Sequence, residues 1–306
     1  MMKKIICMVM VLVITSLLPL VYAQLSLGEP ALHKLITINL GDQGDVHVTH
    51  EINKARSVVH VETIEGSLSN LNVTDVEGNK VEFGTTGLES ITGITIFSSQ
   101  DDVVIEYDLQ DVLYFEDGLW KWDYFNLETT KIIFPKDVDL LFVNDRPVML
   151  HDAVGITCYG RTQGVICDAF IEYVIDEPTM NTEIKWEDKK FIVQVRTLTE
   201  ISSFNFDQST KRISFDVNED DQLITLIIPL ELLWSPYDVY LNEEKILKHE
   251  FFSNETHSWL NFRPENSGSI EIIGTTVVPE FPILAPLFIG ISIVVALQLK
   301  NRLSLH

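Results

Sequence analysis

Basic residues are scarce. Against 45 aspartates and glutamates, the 306-residue chain carries 22 lysines and arginines, a net charge of −23. Four of those bases, Lys3, Lys4, Lys300 and Arg302, stand in the end segments 1–23 and 281–306, which hold no acid. The body between them has 45 acids against 18 bases, a net −27. Such a body repels nucleic acid and anionic lipid and attracts cations and basic proteins, so no nucleic-acid partner is expected. Catalytic signatures are missing as well. There is no Gly-x-Ser-x-Gly turn, no His-Glu-x-x-His and no phosphate-cradling glycine loop. Acidic pairs are too common in this composition to single out a general acid and base. The expectation is a non-enzymatic protein, with no catalytic residue, metal or cofactor assigned. Long helical stripes are also absent between the end segments.

Cysteine is the third scarcity. The chain has three, at Cys7, Cys158 and Cys167. Two cysteines with no histidine beside them make a poor metal site. In an oxidising compartment Cys158 and Cys167 are expected to form a disulfide closing a short loop, worth about 2–3 kcal/mol in the chain-entropy account.

What the chain does have is an apolar run at each end. Lys3 and Lys4 precede the run Ile5 to Leu20, and Val21-Tyr22-Ala23 supplies small residues at −3 and −1 of a cleavage site. That layout predicts a secretory signal, with a mature chain beginning at Gln24. Phe281 to Leu299 is an uncharged run of 19 residues. As a helix it reaches about 28 Å, close to the hydrocarbon thickness of a bilayer. Lys300 and Arg302 follow it, and bases beside a span favour the cytoplasmic side. Residues 24 to about 278 are therefore expected outside the cell, on a single-pass anchor with a cytoplasmic C-terminus.

The motif Pro279-Glu280-Phe281, followed by that apolar run and then by Lys300 and Arg302, resembles the archaeal C-terminal sorting signal of the PEF-CTERM kind. The resemblance covers about the last 28 residues. It implies an archaeal surface protein and an archaeosortase-type processing enzyme as partner. Many such motifs continue with glycine; this one continues with Pro282, which leaves open which sortase acts.

The body reads as short strands and turns. Leu35 to Leu40, Ser57 to Glu62, Gly93 to Phe97 and Asp102 to Tyr107 alternate or carry β-branched runs. Gly78-Asn79 and Glu116-Asp117-Gly118 read as hairpin turns. A weak repeat joins Ile132-Ile133-Phe134-Pro135 and Asp139 to Asn144 with Ile227-Ile228-Pro229 and Asp238 to Asn242. Each copy then closes on a strand containing a glutamate, Phe170 to Ile175 and Ser269 to Ile273. The expected fold is all-β: two immunoglobulin-like sandwiches, 24–178 and 179–278, meeting near Asp176-Glu177-Pro178, with a signal helix at 1–23 and the sorting motif, span and basic tail at 279–306. The second unit, through Ile228-Pro229, Leu232-Leu233, Pro236 to Val239 and Ile270 to Thr275, is similar to the β-domain that often precedes archaeal sorting signals.

Four features are candidate sites. Trp120, Trp122 and Tyr124 alternate onto one strand face, where they would either stack on a sugar or form core. His47 and His50 lie on one strand and His60 on the next, where one pair across a hairpin would make a two-histidine metal site, or else all are exposed. The turns Asp42-Gln43-Gly44-Asp45, Gln100-Asp101-Asp102 and Glu219-Asp220-Asp221 are acid-rich but lack the spacing of a calcium loop. Asn72 and Asn254 begin glycosylation sequons. The expected role is envelope structure, adhesion or ligand binding, with other envelope proteins or surface glycans as partners. The alternatives are a carbohydrate-binding module built on the aromatic hairpin and a surface hydrolase.

Overall fold

A computed structural model describes residues 28–275, apart from 88–89, 152–153 and 187. The signal segment, Pro279, Glu280 and Phe281, and the C-terminal apolar run lie outside the described residues. The described chain is all-β, in five sheets, with one short 3₁₀ turn at Gly160–Gln163.

Two separate cores organise it. The first draws on residues between Ala31 and Tyr173, the second on residues between Ile184 and Ile272. Period-two alternation makes both. In Val46–Ile52, Val46, Val48, His50 and Ile52 are buried while His47 and Glu51 are exposed. In Arg212–Val217, Ile213, Phe215 and Val217 turn inward. The second core lies between two five-stranded antiparallel sheets, a layering of β-sandwich type. The first is closed by three sheets, of six, five and four strands. The added four-stranded sheet pairs Val59–Glu62 with Gly93–Ile96 and with the parallel strand Glu29–Pro30.

The internal repeat has a structural counterpart. Leu140–Val143 runs antiparallel to Cys167–Tyr173, and Asp238–Leu241 runs antiparallel to Gly268–Ile273. Each first strand ends in a two-residue turn with both φ angles positive, Asn144-Asp145 at 50° and 62° and Asn242-Glu243 at 48° and 71°. That is the twist a tight hairpin requires. In both copies the asparagine Oδ1 accepts an amide N–H of the closing strand, from Phe170 at 2.8 Å and from Ser269 at 2.9 Å. In both, the glutamate of the closing strand pairs with an arginine: Glu172 with Arg263, and Glu271 with Arg212.

The cores meet through an apolar patch and two arginines. Leu119, Leu140 and Phe142 pack against Leu223, with Leu198 and Phe251 at the margin. Arg196 donates both terminal nitrogens to Asp139, at 2.6 and 2.9 Å, and its Nε to Glu177 at 2.8 Å. Burial pushes the Glu177 carboxyl up, and Arg196 pulls it back. Arg263 donates to Glu172, which is 2% exposed, at 2.6 Å, and to Asp145 at 3.3 Å.

Candidate functional site

The aromatic row faces inward. Trp122 and Tyr124 are 3% and 1% exposed, with their ring centroids 5.0 Å apart, and Tyr124 donates its hydroxyl to Thr130 at 2.7 Å. Trp120 packs partly buried against the same core and against Phe115. Gly44, at φ +83°, lies flush on the Trp120 ring, where an added Cβ would stand 2.5 Å from it. The three ring faces are therefore spent in packing, and the row offers no flat platform to a sugar. The Glu116-to-Leu119 hairpin that carries them forms as expected, with Asp117 and Gly118 at positive φ.

The histidines separate. His47 is exposed and bonds Asp108 at 2.8 Å. His60 lies on a different sheet from His47 and His50, with its Nδ1 3.4 Å from Thr95. No hairpin brings it opposite either, so a two-histidine site does not assemble from these residues. His50 is not an exposed strand histidine: it is fully buried. Among the described residues no cluster of three His, Cys, Asp or Glu side chains could hold a metal ion. Carboxylates of two of the acid-rich turns hold distant segments of the chain. Asp102 pairs with Lys34 and accepts the Lys54 amide at 3.0 Å, and Asp220 accepts the Ser267 amide at 2.5 Å.

What forms instead is a buried relay that opens on a cleft. Tyr107 Oη accepts the Ile64 amide at 3.1 Å and stands 2.8 Å from His50 Nε2; His50 Nδ1 stands 3.1 Å from His33 Nε2. The phenol oxygen can both donate and accept, so the relay is satisfied with its protons running in either direction. His33 Nδ1 is buried and has no hydrogen-bond partner among the described residues. Burial, reinforced by His33, lowers the His50 pKa to about 3. Burial also lowers that of His33, against the pull of Glu128. Both rings are neutral at neutral pH.

His33 lines a cleft of about 450 Å³ in the first core. Its walls come from five places: Gly28, Pro30 and Ala31; His33 and Ile36; His60 and Glu62–Glu65; Trp122–Glu128; and Arg161. Glu62, Glu65, Asp123 and Glu128 outnumber Arg161, the one permanent cation of the lining. Arg161 sits 3.8 Å from Glu128. The disulfide helps place it. Cys158 and Cys167 are bonded, with Cα atoms 5.9 Å apart, and the loop they close contains the 3₁₀ turn that carries Arg161. Gly160, at φ +51°, lets that turn lie on the Leu127–Glu128 backbone, where a Cβ would come within 2.5 Å. Reduction should therefore cost about 2–3 kcal/mol of stability, read as a lower urea midpoint. Alkylation should add mass only after reduction. Thiols that alkylate freely in the native protein would contradict the bridge.

The sequence reasoning missed this cleft and the relay behind it. For two relay members the signal was present. His50 has the parity of Val46, Val48 and Ile52, and Tyr107 that of Val103, Ile105 and Leu109, so both had to point inward. His33 was not readable, because a register irregularity between His33 and Leu35 re-aims it.

No protein family matches this sequence, and no curated protein does. Among solved structures, an aminopeptidase N family protein from Idiomarina loihiensis aligns over 51% of this chain and 31% of its own, at 10% identity and TM-score 0.33. This chain thus spans about a third of that protein's length. A multidomain protein including DUF1735 from Bacteroides ovatus aligns over 81% of this chain and 93% of its own, at 10% identity and TM-score 0.18. A second protein of unknown function from the same organism aligns over 85% and 96%, at 11% identity and TM-score 0.17. All three similarities are too slight to carry a functional argument.

Proposed function

We propose that this is a non-enzymatic, membrane-anchored protein of an archaeal cell surface, whose first core captures a small polar or cationic ligand in the acidic cleft. The observation that carries the ligand half of this reading is the cleft itself. It is rimmed by four carboxylates against one arginine, beside an unpartnered ring nitrogen of His33, in a body of net −27. Anions are disfavoured there by the same charge.

The placement of the cleft suits display. Strand Leu119–Asn126 has Leu119 in the patch between the cores and Trp122 to Asn126 on the cleft wall. At about 3.3 Å per residue the cleft end of that strand stands about 20 Å from the patch. The chain leaves the second core through Thr275, beyond strand Gly268–Ile273, whereas Leu223 and Arg263, which meet the first core, lie at the other end of its strands.

In this reading the second core is an immunoglobulin-like sandwich and the first a β-sandwich with an added four-stranded sheet, both outside the cell. The signal is removed before Gln24, and an archaeosortase-type enzyme recognises Pro279-Glu280-Phe281. Asn72 and Asn254 are exposed and would carry glycans. Envelope proteins and surface glycans are its neighbours. Deleting Phe281 to Leu299 should move the protein from the membrane fraction to the medium; a deleted form that stays with the envelope would mean other contacts hold it. For the cleft, Glu62→Gln with Glu128→Gln should weaken binding of small organic cations in calorimetry. Unchanged binding would remove the cleft from the reading.

A further inference from the structure

We infer that the C-terminal end of the second core rests on the headgroup layer of the bilayer, with Trp234 as its contact. This rests on the anchoring reading above and adds a surface to it. Trp234 is 46% exposed, an unusual state for the largest apolar side chain. It sits where the chain departs: its carbonyl accepts the Thr275 amide at 3.0 Å, and the Ser235 carbonyl accepts the Thr275 hydroxyl at 2.8 Å. Lys211 donates to the Thr275 carbonyl at 2.7 Å. Thr275 is thus tied to the core, and the apolar run begins at Phe281. Six residues span at most about 20 Å when fully extended, so the anchor holds Thr275 within that distance of the hydrocarbon, with Trp234 one hydrogen bond further. The headgroup layer fills part of that gap, and it is where tryptophan, apolar in body and polar at one edge, is favoured.

The charge at this end agrees. The body as a whole is strongly anionic, and most of its surface would be pushed away from a membrane. Around Trp234, Glu231 pairs with Lys189 at 3.2 Å and Glu183 with Lys190 at 3.1 Å, while Glu255, on the hollow that Trp234 lines, has no ion pair among the described residues. Trp234 shares a hollow with Phe191, Pro229 and Leu230 beside these pairs. The end that the anchor draws toward lipid thus carries an exposed tryptophan and two ion pairs.

The test uses the full chain, made without glycans and reconstituted into phosphatidylcholine vesicles with or without a nitroxide on the headgroup. Headgroup nitroxide should quench about one fifth of the emission, one tryptophan of five. Trp234→Phe should abolish that quenching, and Trp120→Phe should leave it intact. If the protein floats with the vesicles but wild type and Trp234→Phe are quenched alike, the anchor stands and the resting surface is wrong. If it does not float, the anchoring reading fails and the inference with it.

Discussion

Between pH 6.5 and 5 the protein should lose about 1.6 kcal/mol of stability from His50 alone, at a slope that steepens toward about 1.4 kcal/mol per pH unit. The unfolded chain takes up a proton on this ring near its ordinary value of 6.5, while the folded chain refuses it until about pH 3. The unfolded state therefore binds more protons throughout that window, and stability falls as pH falls. About one pH unit above 6.5 the ring is neutral in both states and the dependence vanishes. His33 acts in the same direction, since burial lowers its pKa too. Carboxylates titrate mainly below pH 5, so the upper part of the window isolates the histidines. Urea unfolding at pH 7, 6 and 5 reads the slope. His50→Leu with Tyr107→Phe should flatten it, at a fixed cost for the orphaned Ile64 amide. A wild-type profile that is flat across this range would mean that the ring is protonated, or reached by water, in the folded protein.

Arg263→Ala should destabilise the protein by about 3 kcal/mol. Its partner Glu172 is 2% exposed, and truncation leaves that carboxylate at the boundary of the two cores without a hydrogen-bonded base, with Lys121 on the neighbouring strand as the nearby charge. Breaking a buried pair by removing one partner costs about 3–5 kcal/mol; the 23% exposure of the Arg263 side chain places this case at the lower end. Replacing both, Arg263→Met with Glu172→Leu, should recover most of the loss, because the cost lies in the uncompensated charge rather than in the missing contact. Chemical denaturation at neutral pH distinguishes the two. A single variant as stable as wild type would show that Glu172 finds water or another donor. The same experiment on Arg212→Ala, the counterpart in the repeat, should give a smaller effect, since Arg212 and Glu271 are 35% and 27% exposed.

Much of the fold was legible because it is local. Alternation in Val46–Ile52 and Val103–Gln110, and the turn residues Asp117 and Gly118, determine strand and hairpin without reference to the rest of the chain. The repeat was legible for the same reason: an Asn-led turn after a proline exit recurs in both halves, and both asparagines make the same bond to the closing strand. Three sheets in the first core were not legible. Which sheet Gly93–Ile96 joins depends on pairings made across a long stretch of chain, and composition does not encode them.

The site divides in the same way. The inward parity of Trp120, Trp122 and Tyr124 was open to either face until the other side of the sheet was known, and packing on Gly44 and the first core decides it. The cleft needs Glu62, Glu128 and Arg161, which are far apart in sequence and are brought together by sheet topology and by the Cys158–Cys167 loop. In a chain with 45 acids no local signal distinguishes those two glutamates from the others.

The central claim is that apolar runs at residues 5–20 and 281–299 serve export and anchoring, while the anionic body between them stays in water. Intact mass of the native protein, taken from the membrane fraction of its own cells, tests this most directly. The account predicts a chain that starts at Gln24, with any glycan or C-terminal processing visible as further mass differences. A chain recovered from cytosol with residues 1–23 still attached would contradict it.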